Sequence, residues 1–395
     1  MKKEVAVIIG AGPAGIATAA CLNKLSIPNI ILEKDDCIAS LWKKRSYDRL
    51  KLHLAKQFCS LPLMSLPHSA PTFISKAEFI GYLDNYVEHF KLHVVYCTEV
   101  VSAALDENGN SWIITVKNRI SGEKDEYSAR FLIVATGENS EKFIPEIHGL
   151  KSFSGEVIHS SEYKSGEVFS TKNVLVVGSG NSGMEIAYDL SKFGAQTSIA
   201  VRSPFHVMSK EMIHFGMVLV KYFPVKMVDV LLVMLAKFNY GDLSKYGIVR
   251  PKNGPLKMKA ATGRSAVIDV GTVDKIKSGE IMVCIIVNHI DYFQVVKAIS
   301  RIRGDEVISI DGSSNRFDVI IFATGYRSTA NTWLKDGEFM LNETGMPKQS
   351  FPEHWKGKNG LYCAGLSRRG LPGVSMDAQN IANHINMMEK KKTME

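Results

Sequence analysis

Val5-Ala6-Val7-Ile8-Ile9-Gly10-Ala11-Gly12-Pro13-Ala14-Gly15, followed by a helical run and then Ile30-Ile31-Leu32-Glu33, decides the fold. The opening apolar run reads as a strand buried on both faces, the pattern of parallel sheets. The G-x-G-x-x-G after it is a dinucleotide turn. Gly10 permits the tight turn, Gly12 lets a pyrophosphate approach the backbone, and Gly15 lets helix and strand pack closely, with Ala11, Pro13 and Ala14 completing the loop. The helix then offers free N–H groups and the positive end of its dipole to the phosphates. Glu33 ends the second strand, where a carboxylate accepts from both hydroxyls of an adenosine ribose and repels a 2′-phosphate. This site is expected to take FAD or NAD and to refuse NADP.

The plan recurs. Val174-Leu175-Val176-Val177 runs into Gly178-Ser179-Gly180-Asn181-Ser182-Gly183, a helix (Met184 to Phe193) and a strand, Thr197 to Val201. Here Arg202, followed by Ser203, stands where the first unit has Glu33. A guanidinium forms paired hydrogen bonds to a phosphate and stacks on adenine, so the second site is expected to prefer NADPH. A second echo pairs Phe131-Leu132-Ile133-Val134-Ala135-Thr136-Gly137 with Val319-Ile320-Ile321-Phe322-Ala323-Thr324-Gly325. Each reads as a buried strand ending in a glycine turn beside a cofactor.

The rest of the chain sets bounds. Its 395 residues suggest two or three domains, and 45% hydrophobic with 22% charged residues is ordinary globular composition. The net charge of +8 comes without a basic stripe interleaved with aromatics, so a nucleic-acid partner is not expected. Six cysteines, Cys21, Cys37, Cys59, Cys97, Cys284 and Cys363, are scattered without a C-x-x-C. No metal site or redox disulfide is signalled, and a reducing, cytoplasmic location is expected. The first strand begins by Val5, so a signal peptide is not expected. Ser75 to Phe90 is an amphipathic helix with Phe79, Leu83, Tyr86 and Phe90 at helical spacing. Met217 to Phe238 is the most apolar later region, but Lys221, Pro224, Lys226 and Asp229 interrupt it too often for a transmembrane helix.

Between the two units lies Phe153-Ser154-Gly155-Glu156-Val157-Ile158-His159-Ser160-Ser161-Glu162-Tyr163. This F-x-G-x-x-x-H-x-x-x-Y, set between an FAD-type and an NADPH-type turn, resembles the class B flavin monooxygenases and, within them, the plant YUCCA group. Nearly the whole chain shares the resemblance. Its specific stretches are Tyr47-Asp48-Arg49-Leu50-Lys51-Leu52-His53-Leu54, Ala135-Thr136-Gly137-Glu138-Asn139, Arg250-Pro251-Lys252, Asp269-Val270-Gly271-Thr272, Arg368-Arg369-Gly370-Leu371 and Ser375-Met376-Asp377-Ala378-Gln379-Asn380.

The resemblance implies an α/β fold of two Rossmann-like dinucleotide-binding domains. An FAD domain of residues 1–168 and 306–395 would carry an inserted NADPH domain, 169–305. It implies that NADPH reduces FAD, that reduced flavin activates O2, and that indole-3-pyruvate becomes indole-3-acetic acid, the hormone auxin, with loss of CO2. Leu41, Trp42 and His53 would sit by the flavin ring, Asn139 near the nicotinamide, and Asp377 at the opening of a late helix facing the flavin. His53 and Asn139 are the candidate catalytic residues. Arg368, Arg369 and Lys210 are equal candidates to hold the substrate carboxylate. His159 and Tyr163 would organise the linker. The loop after Leu61 and the stretch Met217–Phe238 would shield the reaction from water. Met282–Phe293 departs from the family pattern, and is either an added strand or sequence foreign to the mature protein. If it disables the second domain, a non-catalytic nucleotide-binding protein is the alternative. N- or S-oxygenation is the other.

Overall fold

The computed structural model describes residues 1–285, 299–309 and 312–394. They divide into two compact units. The first comprises Met1–Lys44, Ala55–Lys142 and Tyr326–Glu395; the second comprises Arg45–Leu54 and Phe143–Gly325. The expected seams at 168/169 and 305/306 both fall inside the second unit. The reason is hydrogen bonding: Glu156–His159 and Val319–Phe322 are strands of its sheet.

In the first unit a seven-stranded sheet runs Val94–Val95, Asn29–Leu32, Lys2–Ile9, Lys124–Val134, Trp112–Asn118, Thr98–Leu105, with Leu361–Cys363 also paired to Lys124–Val134. Lys2–Ile9 lies between Asn29–Leu32 and Lys124–Val134, parallel to both. The chain winds to one side of its first strand and returns on the other, so the crevice at the carboxyl end of that strand is the switch point where such sheets bind ligands. The helix Pro13–Lys24 starts with proline in its first turn and is buried from Ala14 to Leu22. Its small side chains let the late helix Gly370–Met394 pack along it. Ser75 caps the helix Lys76–His89, and Glu78 returns the bond in a capping box, so the helical spacing of Phe79, Leu83 and Tyr86 becomes one buried face.

The second unit repeats the topology in an all-parallel sheet of five strands: Ile281–Ile285, Gln196–Val201, Asn173–Val177, Val319–Phe322, Glu156–His159. The switch point again falls beside the strand that enters the glycine turn. Met282–Ile285, the start of the departing segment, continues the strand begun by Ile281; residues 286–293 lie outside the described residues. Outside the sheet, two helices, Lys210–Leu219 and Val225–Tyr240, pack on each other. A Cβ at Gly216 would lie 2.8 Å from Leu232 Cδ1, so glycine sets how closely they cross.

Candidate dinucleotide sites

At the first turn Gly10 has φ +104°, and Ala135 donates its N–H to Ile9. A Cβ at Gly10 would lie 2.8 Å from the Ala135 carbonyl oxygen, and one at Gly15 would lie 1.9 Å from the Gly10 oxygen. Only glycine fits either place. Gly12, by contrast, faces open space: nothing lies within 4 Å of a Cβ there, and no side chain caps the helix it precedes. Glu33 is buried and accepts from Ala11 N–H at 2.7 Å and Asp35 N–H at 2.9 Å. Burial raises its pKa, against the lowering effect of those two N–H groups. The carboxylate is thus aimed by the turn itself, with lone pairs left over. Beside Gly10, Thr136 Oγ1 is buried without a hydrogen-bond partner among the described residues. An open glycine cradle, an uncapped helix N-terminus and an orphaned hydroxyl fit the diphosphate of FAD.

The second turn has the same geometry. Gly178 has φ +113°, its Cβ would lie 2.5 Å from the Ala323 oxygen, and a Cβ at Gly183 would lie 1.9 Å from the Gly178 oxygen. Gly180 faces open space and precedes an uncapped helix, Asn181–Lys192. The two alanine-threonine-glycine echoes are therefore the strand ends that pass over the first glycine of each turn. Arg202 follows the strand Gln196–Val201 with an exposed side chain and no ion-pair partner among the described residues. Packing about its guanidinium, and then the like charge of Arg264, hold its pKa below the usual arginine value. Two neighbouring guanidinium groups make a fit for the additional phosphate of NADPH. Sequence reasoning missed Arg264. It stands shortly before Val267–Ile268, the strand paired with Val207–Met208, and Ile268 N–H donates to Asn181 Oδ1 at 2.7 Å.

Two carboxylates are buried one turn apart on the helix Asn181–Lys192, and the segment Arg45–Leu54 supplies their partners. Glu185 accepts from Tyr47 OH at 3.1 Å and meets His53 Nε2 at 2.7 Å. Asp189 accepts from Tyr163 OH at 2.7 Å and Gly166 N–H at 2.8 Å, with Arg49 at 3.9 Å. The Arg49 guanidinium lies 4.4 Å from the Tyr188 ring centroid. Burial, and then the adjoining carboxylate, push the phenol pKa of both Tyr47 and Tyr163 up. Neither Glu185 nor Asp189 was singled out from sequence, where an acid on an amphipathic helix reads as solvated. A polar cleft of about 750 Å³ opens beside them, lined by Arg49, Lys164, Glu185, Asp189 and Lys210 among others. None of Gly178–Gly183 lines it, so this cleft is not the dinucleotide cradle. Burial lowers the Lys210 pKa, against the pull of Glu185.

The remaining sequence candidates fall as follows. Leu41 and Trp42 lie in the short helix Ser40–Lys44, with the Trp42 ring edge-on to Phe79 at 4.7 Å. Asn139 is exposed in the loop after Gly137. His159 is buried, bonded through Nε2 to the Gly325 oxygen at 3.0 Å. Arg369 covers the Phe351 ring at 3.7 Å. The expectation that Asp377 opens the late helix is corrected: that helix begins at Gly370, and Asp377 lies inside it. Its buried carboxylate accepts from Gly365 N–H at 2.9 Å, with His354 Nε2 also 2.9 Å away. Gly365 abuts Ala14, so Asp377 braces the loop against the start of the first-turn helix.

The sequence pattern of the pyridine nucleotide-disulphide oxidoreductase family matches residues 7–213. The chain is 52% identical over 383 residues to a probable indole-3-pyruvate monooxygenase, YUCCA10, of Arabidopsis thaliana, covering 97% of each. It is 44% identical to the indole-3-pyruvate monooxygenase YUCCA6 of the same plant, covering 98% of this chain and 91% of that one. Among solved structures, a flavin-containing monooxygenase from Stenotrophomonas maltophilia shares the fold with a TM-score of 0.70 at 19% identity, covering 98% of this chain and 99% of the other.

Proposed function

We propose, because the chain belongs to the YUCCA family of indole-3-pyruvate monooxygenases, that it converts indole-3-pyruvate, O2, NADPH and a proton to indole-3-acetic acid, CO2, water and NADP⁺. It is an NADPH-dependent flavin monooxygenase of auxin biosynthesis. The observation that carries this reading is the duplicated turn, closed by Glu33 in one unit and by Arg202 in the other. One chain thereby offers a site for an unphosphorylated ribose and a site for a phosphorylated one.

Gly10–Gly15 and Glu33 would hold FAD, and Gly178–Gly183, Arg202 and Ser203 would hold NADPH. Together these groups supply the hydride and the oxygen activation when bound. The protein's own work is to bind, orient and exclude water. Gly12 and Gly180 let phosphate reach the backbone, and Asp377 braces the first turn through Gly365. Leu41 and Trp42 are assigned to the flavin side of the first site. His53 and Asn139 remain the candidate catalytic side chains, with Glu185 orienting the His53 imidazole. The disulfide chemistry of the matched family's name finds no disulfide-bonded cysteines among the described residues. Burial pushes the Cys21 and Cys59 thiols up to about 11 and about 12, which keeps them inert near neutrality. Free thiols support a reducing, cytoplasmic location, tested by fractionating cells that express the tagged chain. Among the described residues no helix is long and apolar enough to cross a membrane.

Purified protein should be yellow, be bleached by NADPH without oxygen, and yield indole-3-acetic acid and CO2 in step with NADPH consumed. Oxidation of NADPH to hydrogen peroxide alone, with every aromatic 2-oxo acid tried, would refute the assignment. Turnover of amines or thioethers instead would redirect it to N- or S-oxygenation.

A further inference from the structure

The helix Val225–Tyr240 is apolar on two opposite sides. One side, Val228, Leu232, Ala236 and Tyr240, is buried in the core of the second unit. The other, Met227, Val230, Met234 and Phe238, recurs at the same helical spacing yet is exposed at 59%, 56%, 61% and 94%. The turn before it adds Val220, Phe223 and Tyr222, the last 75% exposed; its own first residue, Val225, and Phe215 of the preceding helix are exposed too. Isolated exposed apolar side chains need no explanation, but a continuous stripe with a bracketing aromatic turn does.

Charge narrows the choice of occupant. Residues 212–241 contain one acid, Asp229, and it points inward: it is buried and accepts from Leu256 N–H at 2.7 Å and Lys257 N–H at 3.0 Å. The exposed charges in this stretch are Lys221, Lys226 and Lys237. Lys226 and Lys237 each precede a stripe residue by one position and stand about three turns apart, so they share one edge of the stripe. An apolar face edged by lysines, with the exposed acids Glu211 and Asp242 only beyond the two ends of the stretch, matches the boundary between acyl chains and anionic headgroups. A sixteen-residue helix spans only about 24 Å and cannot cross the hydrocarbon core.

We infer that the pair Lys210–Leu219 and Val225–Tyr240 is an in-plane anchor that docks this chain on a bilayer surface containing anionic lipid. The Gly216–Leu232 contact joins the two helices, and the Val228 side is buried in the core of the second unit, which holds the pair from behind. The stripe need enter no deeper than the boundary between headgroups and acyl chains.

The test is co-sedimentation of the purified, FAD-loaded full chain with phosphatidylcholine vesicles, plain or containing about a third phosphatidylserine. The full chain should pellet with the mixed vesicles, and pellet roughly tenfold less with plain ones or at ~1 M salt, where screening removes the lysine contribution. Replacing Met234→Glu together with Phe238→Glu should abolish pelleting while flavin content and melting temperature stay as in the parent. Phe238→Ser alone is the milder variant should the pair misfold. Lys226→Glu with Lys237→Glu should erase the preference for phosphatidylserine. Failure of the full chain to pellet with mixed vesicles overturns the proposal, as does equal pelleting of the glutamate pair. Light scattering that shows a dimer split by the glutamate pair would assign the stripe to a second copy. Vesicle-free peroxide leakage caused by the glutamate pair would assign it to shielding of the reaction. Either result replaces the bilayer.

Discussion

The two glycine turns differ far less than the strands that flank them. At both, the first glycine has positive φ beneath an alanine carbonyl, the third packs so close that a Cβ there would lie 1.9 Å from the first glycine's oxygen, and the second opens onto space. At the ends of the second strands the likeness stops: Glu33 is buried and tied to its own turn, whereas Arg202 is exposed beside another cation. On the proposed assignment, phosphate binding would be a property of backbone, repeated without change, and nucleotide identity a property of the side chains at the strand end, free to differ.

The hardest blow to this comparison is a methyl group. Gly15→Ala and Gly183→Ala each place Cβ against a carbonyl and should cost about 3 kcal/mol or more, read as a fall in melting temperature with loss of the bound nucleotide. Gly12→Ala and Gly180→Ala add the same methyl in open space. They should leave the apoprotein within about 0.5 kcal/mol of the parent, yet raise the nucleotide Kd more than about tenfold in titration. If both pairs behave alike, the open positions are not where phosphate approaches.

A sharper probe exchanges the nucleotide signal alone. Arg202→Glu should shift the ratio of NADPH to NADH efficiency by about 30-fold, or ~2 kcal/mol, toward NADH. Steady-state kcat/KM for each cofactor reads this, and an unchanged ratio would mean that Arg264 or another group holds the phosphate.

The helices behind the turns differ too, for the first is buried all round and the second hides two acids. Glu185→Gln should lower kcat roughly tenfold with the KM for NADPH unchanged, and its effect should not add to that of His53→Ala. Additive losses would show that Glu185 does not act through His53. The smallest expected effect is that of Asn181→Ala, which orphans Ile268 N–H: about 1 kcal/mol of stability by denaturant titration, with nucleotide preference kept.

Local patterns in the sequence revealed the turns, the strands beside them and the capped helix Lys76–His89, because burial and turn chemistry leave marks within a few residues. Long-range pairing left none. Glu156–His159 and Val319–Phe322 joined the second sheet through partners far along the chain, so the expected seams missed them. His53 was read from resemblance as a flavin neighbour, while its bond to Glu185 spans 132 positions and has no periodic signature. Asp377 follows two glycines and a proline that read as loop, yet those residues are already helical.

Because Arg45–Leu54 belongs with Phe143–Gly325, the second unit cannot be cut from the gene as one contiguous piece. A fragment spanning 143–325 would bury Glu185 without Tyr47 and His53, and Asp189 without Arg49, and stripping a buried charge of its partner costs about 3–5 kcal/mol. Such a fragment should melt early and be rescued in trans by a synthetic decapeptide of sequence 45–54, making this segment a detachable reporter of whether that unit has closed.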